Sequence, residues 1–295
     1  MATHEHYYVP AQSKWPIIAT VGMFITMFGL GTWFNDLKAA RPESHGPLIF
    51  FVGGLVLAYM LFGWFGTVIK ESRSGLYSAQ MDRSFRWGMS WFIFSEVMFF
   101  IAFFGALFYV RNLSGPWLGG EGDKGIAHML WPNFQFAWPL LHTPDPTLFP
   151  PPKEVISPWG LPLLNTVLLV SSSVTVTVAH HSLKKGHRGA LKLWLALTVL
   201  LGCGFLGFQA KEYIHAYHEL GLTLGSGVYG ATFFMLTGFH GAHVTIGTII
   251  LFVMLMRIMR GHFDADHQFG FEAASWYWHF VDVVWIGLFV FVYVL

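Results

Sequence analysis

The sequence predicts an all-α fold: a polytopic membrane helix bundle of seven transmembrane helices, with the N-terminus inside and the C-terminus outside. Three observations lead there. Apolar residues make up 54% of the 295 positions and charged residues only 11%, far from the balance of a water-soluble domain. The apolar residues gather into seven runs, each long enough for the roughly 20 residues that a helix needs to cross a bilayer. Lysine and arginine then fall unequally on the two sides that those runs define.

Taken in order, the first run, about 16–35, follows the polar arm MATHEHYYVPAQSKWP, which lacks the basic and apolar regions of a cleavable signal. The second, 47–69, contains the glycine pair Gly53 and Gly54, and the third, 87–110, holds a single carboxylic acid, Glu96, in FIFSEVMFF. A loop over 111–157 follows. Its HTPDPTLFPPPKEVISP is too rich in proline for a regular element, so it is expected to cap the membrane surface. The fourth run, 158–181, carries SSSVTVTV, small and β-branched side chains that let neighbouring helices approach closely. The fifth, 190–213, contains Gly202 and Gly204; the sixth, 228–256, contains TGFHGAHVTIG; the seventh, 272–295, contains WYWHFVDVVW.

With the N-terminus inside, eleven of the 17 basic residues lie on inner segments: Lys14, Lys70, Arg73, Arg83, Arg86, Lys184, Lys185, Arg188, Lys192, Arg257 and Arg260. That excess sets the orientation and turns the long loop outward. A formal net charge of +1, without basic tracts or a phosphate-cradling glycine motif, excludes nucleic acid as a partner. The lone Cys203 makes neither an internal disulfide nor a paired-cysteine metal site.

The polar residues inside the spans carry the functional question. At about 1.5 Å of rise per residue, Glu96 lies some 14 Å from the inner surface, Asp282 about 15 Å and His279 about 10 Å, with His240 and His243 in the same half. Groups at that depth must neutralise or pair, so a single polar layer is expected across helices three, six and seven, with Glu96 giving its O–H to a histidine or to Asp282. Two readings of Glu96 stay open, a hydrogen-bonded staple between helices and a proton-transfer group. His240 and His243 share a helix face and could ligate a metal, but no supporting ligand accompanies them, and no metal site is expected. Trp64, Trp87 and Tyr293 read as interface anchors, and His180 and His181 as imidazoles favoured at a helix C-terminus. Helix seven lacks the lysine of a retinal protein. A transporter would prefer helices broken at mid-depth, for which the glycine pairs are the candidates. A subunit of a larger membrane complex fits uninterrupted helices.

FSEVMFF, PLLNT followed by AHHS, GVYGATFFMLTGFHGAHVTIG and FGFEAASWYWHFVDVVWIGLFVFVY together resemble subunit III of the cytochrome c oxidases, the aa3-type haem–copper family. The likeness covers nearly the whole chain, departing chiefly in the expanded third loop; a quinol-oxidase subunit III is the nearest alternative. The resemblance implies an accessory, non-catalytic subunit without cofactors of its own, with haem a, haem a3 and copper held by partner subunits I and II. It implies two lobes, an arm with helices one and two over 1–70 and a five-helix bundle over 71–295, with lipid between them. Carried over to this sequence, phospholipid head groups would meet Trp64, Glu71, Phe92 and Arg257, and the buried acids would be Glu96 and Asp282. Cytochrome c would donate electrons to the complex, which reduces oxygen and pumps protons. On the inner side, His262, Asp264, Asp266 and His267, with the arm's His4, Glu5 and His6, interleave imidazoles and carboxylates that can collect protons near neutral pH. A bacterial inner membrane is expected over a mitochondrial one, on the expanded loop.

Overall fold

The computed structural model describes residues 9, 11–41, 43–122, 125–263 and 268–295. Seven helices are long and apolar enough to cross a membrane: α1 Trp15–Lys38, α2 Gly46–Arg73, α3 Ala79–Leu118, α4 Leu161–Lys184, α5 Arg188–His218, α6 Gly227–Met259 and α7 Phe269–Val294. No strand occurs among the described residues. Helices are the solution a bilayer imposes on a chain of this composition, because every backbone N–H and C=O must find its partner within the segment. The observed helices overrun the expected spans: α3 gains eight residues at each end, and α5 ends five residues later than expected. α3 passes through a π-helical turn, Val110–Ser114, before its last turn, and α7 closes in another, Phe289–Val294.

The chain divides into two compact units, residues 1–85 and 86–295. In the first, proline in the opening turn starts α1 and α2, where no backbone donor is needed. The two helices cross through glycine. A methyl added to Gly53 would lie 2.5 Å from the backbone nitrogen of Thr26, and one on Gly29 would overlap the backbone of Phe50. Gly53 is therefore a contact point and not a break. The turn between the helices is tied by Asp36, which accepts from Ser44 Oγ at 2.8 Å and from Arg41 at 3.2 Å. Trp15 Nε1 donates to Thr67 at 3.2 Å across the pair.

In the second unit, α7 is the central helix. Trp278, Trp285 and Leu288 are wholly buried. The Trp278 indole N–H donates to Ser172 Oγ of α4 at 2.8 Å, and that of Trp285 to Thr166 of α4 at 2.9 Å. The room for Trp278 comes from glycines on two further helices: a methyl on Gly202 of α5 would sit 2.8 Å from its ring, and one on Gly247 of α6 2.9 Å from it. So the small residues of α4 pack closely, as expected, and their hydroxyls also bond. α3 meets this bundle through aromatic rings, Phe99 and Phe103 against Phe239 of α6 at 5.1 Å each and Phe100 against Phe280 of α7 at 6.0 Å. Arg86 of α3 pairs with Glu272 of α7 at 2.6 Å.

The long loop between α3 and α4 is ordered by its own apolar residues. Phe134, Leu140 and Ile156 are buried, Trp138 meets Tyr229 of α6 edge-on at 5.3 Å, and the Lys153 N–H donates to the Leu220 carbonyl at 2.8 Å. Asp145 turns the chain by accepting from the Thr147 hydroxyl and from the backbone N–H groups of Thr147 and Leu148. The Thr147 hydroxyl is the main reason its carboxyl is held below the ordinary carboxylate range.

The packing of Trp278 yields a paired test. Gly247→Ala forces a shift of a fully packed ring and should lower stability by about 1–3 kcal/mol, whereas Gly241→Ala on the same helix adds a methyl that meets nothing within 4 Å. Thermal unfolding in detergent, followed by circular dichroism, checks this; equal melting of the two variants would refute the fit.

Candidate functional site

Hydrogen bonds do not join the polar side chains within the spans into one network among the described residues. They fall into separate groups, and within them Asp282 Oδ1, His240 Nδ1 and Glu212 Oε2 are buried without a hydrogen-bond partner. The first joins α3 to α6. His243 Nδ1 lies 2.6 Å from the Phe239 carbonyl, one turn back on its own helix, and Nε2 lies 2.8 Å from Glu96 Oε2. A carbonyl can only accept, so Nδ1 carries hydrogen and donates. One further proton then lies between Nε2 and the carboxyl: either the acid O–H donates to a neutral imidazole, or an imidazolium N–H donates to a carboxylate. Either way the pair is neutral overall, the condition that an apolar environment rewards. Phe99 and Phe100 flank the imidazole at 5.8 and 5.0 Å, and Tyr277 donates to the His243 carbonyl at 3.4 Å.

A second group joins α4 to α7. Ser173 Oγ lies 2.6 Å from His279 Nδ1, and His279 Nε2 is 3.3 Å from Thr177 Oγ1. Ser173 and Thr177 of α4 thus both meet the His279 imidazole of α7, while Asp282 Oδ1 is buried without a hydrogen-bond partner. His240 stands apart from both. Its Nε2–H donates to the Val281 carbonyl at 3.1 Å, and its ring packs against Trp285 and Phe205. Although His240 and His243 share a helix face, their Nε2 atoms are engaged with different helices, α7 and α3. No hydrogen bond among the described residues links these groups to one another.

A fourth group has no counterpart in the expected sites. Glu212 of α5 is only 1% exposed. Tyr293 at the end of α7 donates to its Oε1 at 2.7 Å, Gln209 Nε2 approaches the same oxygen at 3.4 Å, and Asn165 of α4 donates to Gln209 at 3.4 Å. The expected α5 ended at 213, which put Glu212 at the water boundary; the helix continues to His218 and carries the acid inward. Tyr293, expected to anchor at the interface, is instead buried as the hydrogen-bond donor to this acid. The available signal was the polar triplet Gln209, Glu212 and Asn165 at positions that face one another only once α5 is long enough.

The residues expected to meet lipid fall in both units. In the first, Trp64 is exposed and stacks on Phe65 at 5.4 Å, and Glu71 accepts from Tyr77 at 2.8 Å. In the second, Phe92 is exposed beside Tyr277, and the Arg257 guanidinium lies 4.1 Å over the Phe263 ring. On the expected inner surface, Arg188 donates to the carbonyls of His262 and Phe263. Asp264, Asp266 and His267, and the arm residues His4, Glu5 and His6, lie outside the described residues. Among the described residues, no three His, Cys, Asp or Glu side chains come together as a metal-holding group.

Comparison with known proteins adds the family. The family model described as cytochrome c oxidase subunit III matches residues 4–143 and 126–295. The cytochrome c oxidase subunit 3 proteins of Danio rerio and Latimeria chalumnae are each 39% identical to this chain over 295 residues, covering 99% of it and 98% of the relative. The Drosophila melanogaster protein of the same name is 38% identical over 298 residues, with the same coverage. A seven-helix chain matched along nearly its whole length, including the helices that carry Glu96, His243 and Asp282, belongs to the cytochrome c oxidase subunit III family.

Proposed function

We propose that this chain is the accessory, cofactor-free subunit III of a proton-pumping cytochrome c oxidase, bracing the catalytic subunit, holding phospholipid and supporting proton uptake. Haem a, haem a3 and copper are assigned to partner subunits I and II, and cytochrome c meets the complex through them. The family match favours this over a quinol oxidase or a seven-helix transporter. The orientation proposed is N-terminus inside, from the excess of basic residues on that side. The chain is a multi-pass membrane protein. The expanded loop pointed to a bacterial inner membrane and the fish and fly relatives point to a mitochondrial one; both are respiratory membranes, and that is the location proposed.

One observation carries the bracing role: the 2.8 Å contact between Glu96 and His243, the polar fastening of an α3 that otherwise meets α6 through aromatic rings. A neutral pair that shares one proton fastens two helices without leaving a charge in lipid. This supports the staple reading of Glu96 over proton transfer, since the pair is closed on itself. The contact of Ser173 with His279 is proposed to fasten α4 to α7. Glu96→Gln should preserve assembly, because the amide can still donate to Nε2. Glu96→Ala leaves a half-buried imidazole nitrogen without its partner, a loss of about 1–3 kcal/mol, and should reduce co-purification with subunit I. Wild-type yields of complex from Glu96→Ala would sink the staple.

The lipid contacts proposed are Trp64, Glu71, Phe92 and Arg257. A guanidinium presents a fork of donors matched to phosphate, so Arg257→Ala should lower the phospholipid retained through detergent purification. Mass spectrometry of the purified complex measures it, and unchanged lipid content counts against the assignment.

The proton-collecting role proposed for His262, Asp264, Asp266 and His267 rests on imidazoles interleaved with carboxylates, a combination able to hold and pass protons near neutral pH. A complex depleted of this chain should match the intact one at low pH, slow as pH rises and the supply of protons falls, and inactivate during sustained turnover. Oxygen consumption from pH 6 to 9, with and without the chain, decides; identical profiles and lifetimes would leave only bracing.

A further inference from the structure

The loop between α3 and α4 has an unusual surface for a segment outside the membrane spans. From Gly125 to Pro144 it contains no Asp, Glu, Lys or Arg. Part of that apolar content is its own floor, since Phe134 and Leu140 are buried. Ile126, Met129 and Leu130 serve no such purpose: they are 76%, 76% and 75% exposed on a short 3-10 helix, Gly125–Leu130, followed by Trp131.

The position of this turn says what it faces. His128 Nδ1 lies 3.4 Å from the carbonyl of Leu118, the last residue of α3, and Gly125 packs directly on Gly120. The turn is therefore held at the end of α3, one of the helices long and apolar enough to cross a membrane. Earlier on α3, Phe108 and Tyr109 are exposed as well. Beside the turn opens a cleft of about 400 Å³ with Asn133, Gln135 and His142 on its wall, side chains able to bond head groups.

We propose that Gly125–Trp131 is an interfacial anchor, lying along the bilayer with Ile126, Met129 and Leu130 in the boundary between head groups and acyl chains and Trp131 at its rim. Apolar side chains on a charge-free turn with an adjacent tryptophan have the chemistry of a segment that lies on a membrane. Water is the worse solvent for all of them. A protein partner is the weaker reading, because the turn offers no charge for recognition and is pinned to the end of a helix able to cross a membrane.

The test uses the whole complex in nanodiscs of phosphatidylcholine and phosphatidylglycerol. A nitroxide is placed at Met129→Cys, in a Cys203→Ser background because Cys203 is exposed, and separately at Ile126→Cys. Glu154→Cys, an exposed charged position in the same loop, is the aqueous control. Labels at 126 and 129 should collide more with oxygen, which partitions into lipid, than with a water-soluble nickel chelate, and the label at 154 should do the reverse. A chelate preference at either of the two positions overturns the anchor. So does shielding of both from oxygen and chelate together, which would assign the turn to a protein partner.

Discussion

The interhelical hydrogen bonds described for the five-helix unit end on α7 or on a helix that packs against it, and the structure depends on how α7 is held. Its two buried indoles each need a partner for one N–H, and Ser172 and Thr166 of α4 supply them. Without water, an unpaired indole N–H would oppose burial of the ring that carries it. The rings also need space, which Gly202 and Gly247 provide on α5 and α6. Hydroxyls on one side and missing side chains on the other two thus fix the rotation of α7. That rotation places His279 and Asp282 toward Ser173, and Tyr293 toward Glu212.

The same constraint explains why acids occur in these spans at all. A lone carboxylate in lipid costs several kcal/mol, and an isolated neutral acid still has a donor to satisfy. Pairing it with an imidazole removes both difficulties, and the direction of one proton adapts to whichever partner is the stronger base. Glu96 with His243 uses this device. Glu212 uses another, a tyrosine hydroxyl and the amide of Gln209. Interhelical hydrogen bonds of this kind are modest individually, about 1 kcal/mol, so their value lies as much in register as in strength: each permits one rotation of its two helices and penalises the others.

Much of this was legible in the residues. The seven spans follow from run length, and the isolation of Glu96 in a charge-free stretch marked it as a residue needing a partner, a histidine being one of the two choices. Which histidine could not be read, because His240 and His243 sit on one face and only the turn of α6 against α3 separates them. Glu212 escaped notice for a related reason. Its neighbours Lys211 and His215 look like a helix end at the water surface, and nothing local shows that α5 runs on to His218 with Tyr293 waiting at the end of α7. The glycine pairs were ambiguous in the same way: a break and a close crossing look alike in one chain, and the neighbour across from Gly53 or Gly202 decides.

By itself the sequence determined what depends on local composition: the number of spans, their helical character, the ordered and proline-rich third loop, and the requirement that intramembrane acids be neutralised. These hold because a bilayer judges each segment nearly independently, by its length and its charges. Tertiary structure alone decided the pairings, since a hydrogen bond between α3 and α6 spans 147 positions of sequence and depends on the rotation of both helices. A rotation by a single residue, about 100° on a helix of 3.6 residues per turn, would have turned Glu96 away from His243 and left the composition of every span unchanged.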